Sequence, residues 1–131
     1  MRISITWFPN GEYERALAAW PELADDWGGI PYPEYCRALE ARMRELTAHG
    51  ILIRSVAPLR IDEYLAWCDE QDDDPAEERT RAAYAADLER LGRTVPWPPR
   101  RNERCWCGSG RKYKACCSSV APASPEPLPP T

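Results

Sequence analysis

Four cysteines within thirteen residues constrain this chain more than any other feature of it. Cys105 and Cys107 form a C-x-C arm, Cys116 and Cys117 form a vicinal pair, and eight residues separate the two arms. Both arms reach one ion only if the chain reverses between them. Gly108 and Gly110 supply the positive φ that a tight reversal demands, and the Ser109 hydroxyl can brace it. Thiolates are soft donors suited to zinc, and four of them fill a tetrahedral shell, which describes a closed structural site rather than a catalytic one. Such a site carries a formal charge of about −2, which Arg104, Arg111, Lys112 and Lys114 offset while helping to keep the sulfurs deprotonated. A pair of disulfides and four unliganded thiols are the competing readings, and a reducing compartment disfavours the first.

The spacing is tighter than that of common zinc modules. The segment resembles the SEC-C motif, the short zinc-binding element at the C-terminus of the bacterial preprotein translocase motor ATPase, found also in many small bacterial proteins. The matching residues are Arg101, Asn102, Cys105, Cys107, Gly108, Ser109, Gly110, Lys112, Tyr113, Lys114, Cys116 and Cys117. The resemblance covers about an eighth of the chain and implies one structural zinc held by Cys105, Cys107, Cys116 and Cys117. Three positions depart from the family pattern. Its usual Asp-Pro before the first cysteine is Glu103-Arg104, the proline between the first two cysteines is Trp106, and a common lysine before the last pair is Ala115. None of these is a ligand, but each changes the surface, so the resemblance transfers the metal more securely than the translocase element's partners, an export chaperone and acidic phospholipid.

At 131 residues, with six Trp, six Tyr and 44% hydrophobic residues, the chain has material for one modest core. Its opening run MRISITWFP meets proline at residue 9, too early for a signal h-region or a membrane span. A cytoplasmic protein with reduced thiols is the expectation. Charge is unevenly distributed: residues 1–99 hold 11 Lys/Arg against 19 Asp/Glu, net −8, whereas residues 100–117 hold 6 against 1, net +5. A small basic head on an acidic body does not make the broad positive face usual in nucleic-acid binders.

The alternation Ile3, Ile5, Trp7 predicts a strand over 2–8, broken by Pro9-Asn10-Gly11. Tyr13, Leu17, Trp20, Leu23 and Trp27 recur at helical spacing, with Pro21 imposing a kink or two short helices before Gly28-Gly29. A second helix follows Pro31 and Pro33 on the stripe Tyr35, Leu39, Met43, Leu46 and stops at His49-Gly50. His49, the sole histidine, reads as a partner of terminal helix carbonyls. Residues 51–57 predict a second strand, and Ile61, Tyr64, Leu65 and Cys68 a short helix. Asp74, Pro75 and Glu77 form a capping box for a helix running to Leu91, with Tyr84, Leu88 and Leu91 as its buried face; capping outweighs a cation site at Asp72-Asp73-Asp74. Cys36 and Cys68 read as core thiols set apart from the cluster.

The expected architecture is α+β: a mainly helical βααβαα body over 1–93, a proline-rich linker over 94–100 pinned by Trp97, a zinc knuckle over 101–117 and a disordered proline-rich tail over 118–131. The two strands pair either within one chain or across a dimer. No nucleophile, general base or phosphate-cradling loop emerges, so the leading function is a non-enzymatic adaptor that presents the knuckle to a protein partner. Nucleic-acid binding, with Trp106 or Tyr113 stacked on an unpaired base, is the first alternative. An enzyme with its site in the body is the second, and a redox-responsive zinc site the third.

Overall fold

The computed structural model describes residues 2–21 and 30–119. In chain order these form β1 (Arg2–Trp7), α1 (Glu12–Ala19), α2 (Tyr32–Ala48), β2 (Leu52–Pro58), α3 (Ile61–Gln71), α4 (Glu78–Arg90) and β3 (Val95–Pro96). Two single 3-10 turns, Tyr113–Ala115 and Cys117–Ser119, follow. The fold is α+β, with four helices about a three-stranded sheet of order β1-β2-β3 among the described residues.

β1 and β2 pair within the chain, and in parallel, from Arg2↔Leu52 to Trp7↔Pro58 with a register shift between Ile3 and Ser4. Parallel neighbours require a long crossover, which α1 and α2 provide. The third strand was not foreseen. It lies in the proline-rich connector and pairs antiparallel with β2 through Ser55↔Pro96 and Val56↔Val95, and Trp97 N–H donates to the Arg54 carbonyl at 3.2 Å. Proline is tolerated there because β3 is an edge strand.

α1 stops where Pro21 approaches, Trp20 N–H closing on the Ala16 carbonyl at 2.8 Å. Leu23, Trp27 and Gly28-Gly29 lie outside the described residues. α2 buries Tyr35, Leu39 and Met43 and adds Cys36 and Glu40 to that face. His49 closes it, with Nδ1 2.9 Å from the Glu45 carbonyl. Tyr35 stacks on Tyr13 with ring centroids 4.5 Å apart, and its hydroxyl accepts Phe8 N–H at 3.0 Å, which ties α1, α2 and the end of β1 together. α4 packs on β1 and β2, where Ser4 and Ser55, facing each other across the strands, both donate to Glu89 Oε1 at 3.1 and 2.6 Å.

The capping box at 74–77 does not form. α4 begins at Glu78 with Glu77 as an extended N-cap, while the Asp74 carboxylate accepts Ala76 N–H (2.9 Å) and Tyr64 Oη donates to the Pro75 carbonyl (2.7 Å). Asp74 is thus held in a local turn, which competes with capping. Leu91, expected on the buried face of its helix, is 51% exposed, and Leu65 of α3 is 40% exposed. Of the expected tail, Ser118 belongs to the last turn, its carbonyl accepting Arg44 Nη2 at 3.1 Å; residues 120–131 lie outside the described residues.

Candidate metal centre

The reversal between the cysteine arms is a small antiparallel hairpin. Cys105 N–H donates to the Arg111 carbonyl (2.8 Å) and Tyr113 N–H to the Glu103 carbonyl (2.7 Å), with Arg104 and Lys112 facing across. Gly108 (φ +83°) and Gly110 (φ +84°) take left-handed backbone at the tip, a region that a Cβ disfavours. Ser109 Oγ accepts Arg111 N–H at 3.2 Å and lies 3.2 Å from Cys116 Sγ, so one hydroxyl braces the turn and touches a sulfur. The Tyr113–Ala115 turn then returns the vicinal pair toward the C-x-C arm.

All four Sγ atoms, of Cys105, Cys107, Cys116 and Cys117, lie within 4.8 Å of one another. Cys107 Sγ and Cys116 Sγ are 3.5 Å apart. A Zn–S bond of about 2.3 Å in a tetrahedron sets neighbouring sulfurs about 3.8 Å apart, so the spacing suits that ion, and no disulfide joins any of the four cysteines. Three are buried and Cys116 is half-buried, leaving one sulfur at the surface. The Cys107 thiol is held far below its ordinary range because Cys105, Cys117 and Cys36 donate to it. Cys105 is pushed up to about 12, first by its bond to Cys107, and Cys117 is pushed up by its bonds to Cys105 and Cys107. Such crowding favours one ionised sulfur among S–H donors; ionising the others requires positive charge at their centre. Arg104 and Arg111 serve the hairpin directly, donating to the Gly110 (2.8 Å) and Ala115 (2.5 Å) carbonyls. Arg101, Lys112 and Lys114 are exposed.

What seats this element on the body is Glu40, which no sequence motif marks. Its side chain is fully buried at 0% exposure. Oε1 accepts Trp106 Nε1–H (2.9 Å) and Trp97 Nε1–H (3.1 Å), and Oε2 accepts Tyr113 O–H (2.6 Å) and Arg44 Nε–H (2.8 Å). Two donors come from the knuckle, one from the linker and one from the next turn of α2, so a single carboxylate joins three segments. Trp7 packs edge-on to Trp106 at 5.7 Å and donates through Nε1 to Tyr32 Oη (3.1 Å), whose hydroxyl donates to the Cys107 carbonyl (3.1 Å). The available signal was position: Glu40 lies four residues after Cys36 and three before Met43, on the buried side of α2.

Two expectations are corrected by this docking. Trp106 and Tyr113 are 2% and 6% exposed, so neither offers a free face for base stacking; their polar atoms face Glu40 instead. Cys36 is not remote from the cluster. Its thiol hydrogen-bonds to Cys107, and that bond, reinforced by burial, pushes it upward. Cys68 is a buried core thiol beside Tyr64. Asp72, Asp73 and Asp74 are exposed and join no group suited to a metal among the described residues.

Comparison with known proteins divides the chain at residue 100. Residues 24–100 match the family described as Domain of unknown function (DUF8829), and residues 101–119 match the SEC-C motif. The chain is 43% identical over 44 residues to the protein translocase subunit SecA of Helicobacter acinonychis (strain Sheeba), a match that spans 34% of this chain and 5% of that protein. No solved structure matches. The motif and the converged cysteines together point to zinc binding. No helix among the described residues is long and apolar enough to cross a membrane.

Proposed function

The chain belongs to the DUF8829 family and carries a SEC-C motif after that domain, and from this premise we propose that it is a non-enzymatic adaptor whose binding head is organised by one zinc on Cys105, Cys107, Cys116 and Cys117. The observation that carries the reading is the convergence of four sulfurs from two arms within 4.8 Å. When bound, the ion supplies the charge that keeps four neighbouring sulfurs deprotonated and the folding energy that so small an element lacks. The chain's own residues do the rest. Gly108 and Gly110 turn the backbone, Ser109 steadies the tip, and Glu40 fixes the head against α2.

Head and body have opposite charge, and the head exposes Arg100, Arg101, Arg104, Arg111, Lys112 and Lys114. A protein partner with an acidic face fits it, electrostatics setting the encounter rate and register more than the affinity. That the similar stretch occurs in a protein translocase subunit agrees with a role in contact with other proteins. Catalysis finds poor support: the groove between α3 and α4 holds Asp87 and Tyr84, but Asp87 is engaged by Arg90 and Trp67, and burial pushes the Tyr84 hydroxyl upward. Neither is placed to act as a base.

Metal analysis of protein purified under reducing conditions should find about one zinc per chain. The Cys105→Ser, Cys116→Ser double variant should lose it; full occupancy there would remove the ligand assignment. Nucleic-acid titrations at several salt concentrations test the other reading, since phosphate contacts impose a steep salt dependence.

A further inference from the structure

The groove between α3 and α4 has a volume of about 310 Å³ and plays no part in the metal centre. Its floor is apolar, built from Trp67, Tyr84 and Leu88, with Leu91 at the lip 51% exposed. Glu63 and Glu70 line it from α3, both exposed and in no ion pair among the described residues. Asp87 accepts Trp67 Nε1–H at 3.2 Å and pairs with Arg90, so the indole wall is fixed in advance. Arg93 is the one basic residue of the lining. The α3 wall and the loop after it are acidic, residues 61–78 containing nine Asp/Glu and no Lys or Arg, while the α4 wall carries Arg90, paired with Asp87, and Arg93.

We infer that this groove is a docking site for an amphipathic helix of a partner protein, one that lays Leu- or Phe-like side chains on the Trp67–Leu91 floor and sets Lys or Arg against Glu63 and Glu70. Two helices with an apolar cleft between them accept a third helix by this geometry, and anchors three and four residues apart follow the cleft. Charge complementarity selects the occupant. Segments of this chain do not qualify: residues 120–131 hold five prolines, one Glu and no Lys or Arg, and residues 22–29 hold three acidic residues and no basic one. The head of a second copy has the right charge, but its Trp106 and Tyr113 are buried against its own Glu40, so it brings no apolar anchor. A foreign segment that combines both features is the occupant the surface describes. This site is independent of zinc and of the basic head.

The test uses the full zinc-loaded chain and a fluorescently labelled fourteen-residue peptide of Leu and Lys in amphipathic helical order. Three comparison peptides accompany it: the same composition scrambled, the Leu/Glu counterpart, and a Lys-only decamer. Saturable binding of the ordered Leu/Lys peptide, at least about tenfold tighter than any of the three, is expected, with Leu91→Glu and the Glu63→Lys, Glu70→Lys pair each weakening it about tenfold or more. In the wild-type chain, titration should move the indole N–H resonance of Trp67, assigned through Trp67→Phe, and leave that of Trp106 in place. The titration itself is read on the wild-type chain, and only the assignment uses the conservative Trp67→Phe variant. The proposal is overturned if the Lys-only decamer binds equally well, if both variants bind as wild type, if the Trp67 resonance stays fixed at saturation, or if the groove proves to be filled by a second copy in a dimer that Leu91→Glu disperses.

Discussion

Replacing Glu40 by alanine should destabilise the protein by about 3–5 kcal/mol and detach the C-terminal head while leaving its metal in place. The magnitude follows from what each donor would lose. Trp106 Nε1 and Tyr113 Oη, on residues 2% and 6% exposed, would remain buried without their acceptor, at about 1–3 kcal/mol apiece. Trp97 is only half-buried and adds less. The Arg44 side chain is 35% exposed and can turn toward water, so its bond is discounted accordingly. Glu40→Gln is the sharper control. Oε1 faces two indole N–H groups, which can only donate, so the Gln carbonyl must take that position and its NH₂ must face Tyr113 and Arg44. The Tyr113 hydroxyl can rotate to accept, but Arg44 Nε–H cannot. One bond of four is lost, and the cost should fall to about 1–2 kcal/mol.

Urea unfolding of zinc-loaded protein measures both differences. Hydrogen exchange at the Trp97 and Trp106 indole N–H groups shows where the change occurs. Wild type should protect both, Gln should retain most of that protection, and Ala should lose it with about one zinc per chain still bound. If Glu40→Ala costs under about 1 kcal/mol with the indoles still protected, the buried carboxylate does not hold the head and the ledger of donors is wrong.

Glu89 offers a pH test. Hydrogen bonds from Ser55 and Ser4 hold its carboxyl below its ordinary value near 4.5, and a lowered carboxylate contributes stability that is present above the unfolded value and lost as pH falls through the folded one. The melting-point gap between wild type and Glu89→Gln should therefore be steady from neutrality to about pH 5 and shrink below about pH 4.5; a gap that grew on acidification would contradict this. Gly108→Ala adds a Cβ that meets nothing within 4 Å, so its penalty is the left-handed backbone alone, about 1 kcal/mol, and zinc retention against a chelator should weaken about fivefold. Unchanged retention would mean that the turn relaxes without cost. Trp106→Pro, which restores the usual residue of the motif, should lower stability by about 3 kcal/mol or more through loss of the Glu40 bond and the Trp7 contact, with zinc content unchanged. Loss of the metal as well would show that docking and coordination are one unit.

Much of the fold was legible from periodicity and β-propensity: α2 buries the stripe Tyr35–Leu39–Met43, and β1 and β2 form where the Ile3–Ile5–Trp7 alternation and the β-prone stretch 51–57 place them. The cysteine cluster was legible for a different reason, since two arms and a glycine turn leave few ways to close. The misses share a cause, namely a local choice decided by a distant partner. Asp74 has every attribute of an N-cap, but Tyr64 from α3 holds the Pro75 carbonyl and the helix starts at Glu78. Val95–Pro96 has no strand signature of its own, and β2 supplies the pairing. Leu91 falls on the apolar stripe of α4 but at the lip of a groove rather than in the core.

Glu40 is the deepest of these cases, because its role depends on a residue that read only as a departure from a motif. A tryptophan between the first two cysteines adds nothing to metal coordination. On a free knuckle it would be an exposed aromatic, and on this body it is among the most buried side chains. Its indole N–H needs an acceptor at that depth, since an orphaned donor there would cancel much of what burying the ring contributes. A glutamate on the apolar side of α2 is equally unfavourable alone. Together the two account for each other, and Trp97 and Tyr113 complete the set of donors. The SEC-C motif and the DUF8829 domain therefore form one docked structure, and the orientation of the basic surface relative to the acidic groove is fixed by the fold.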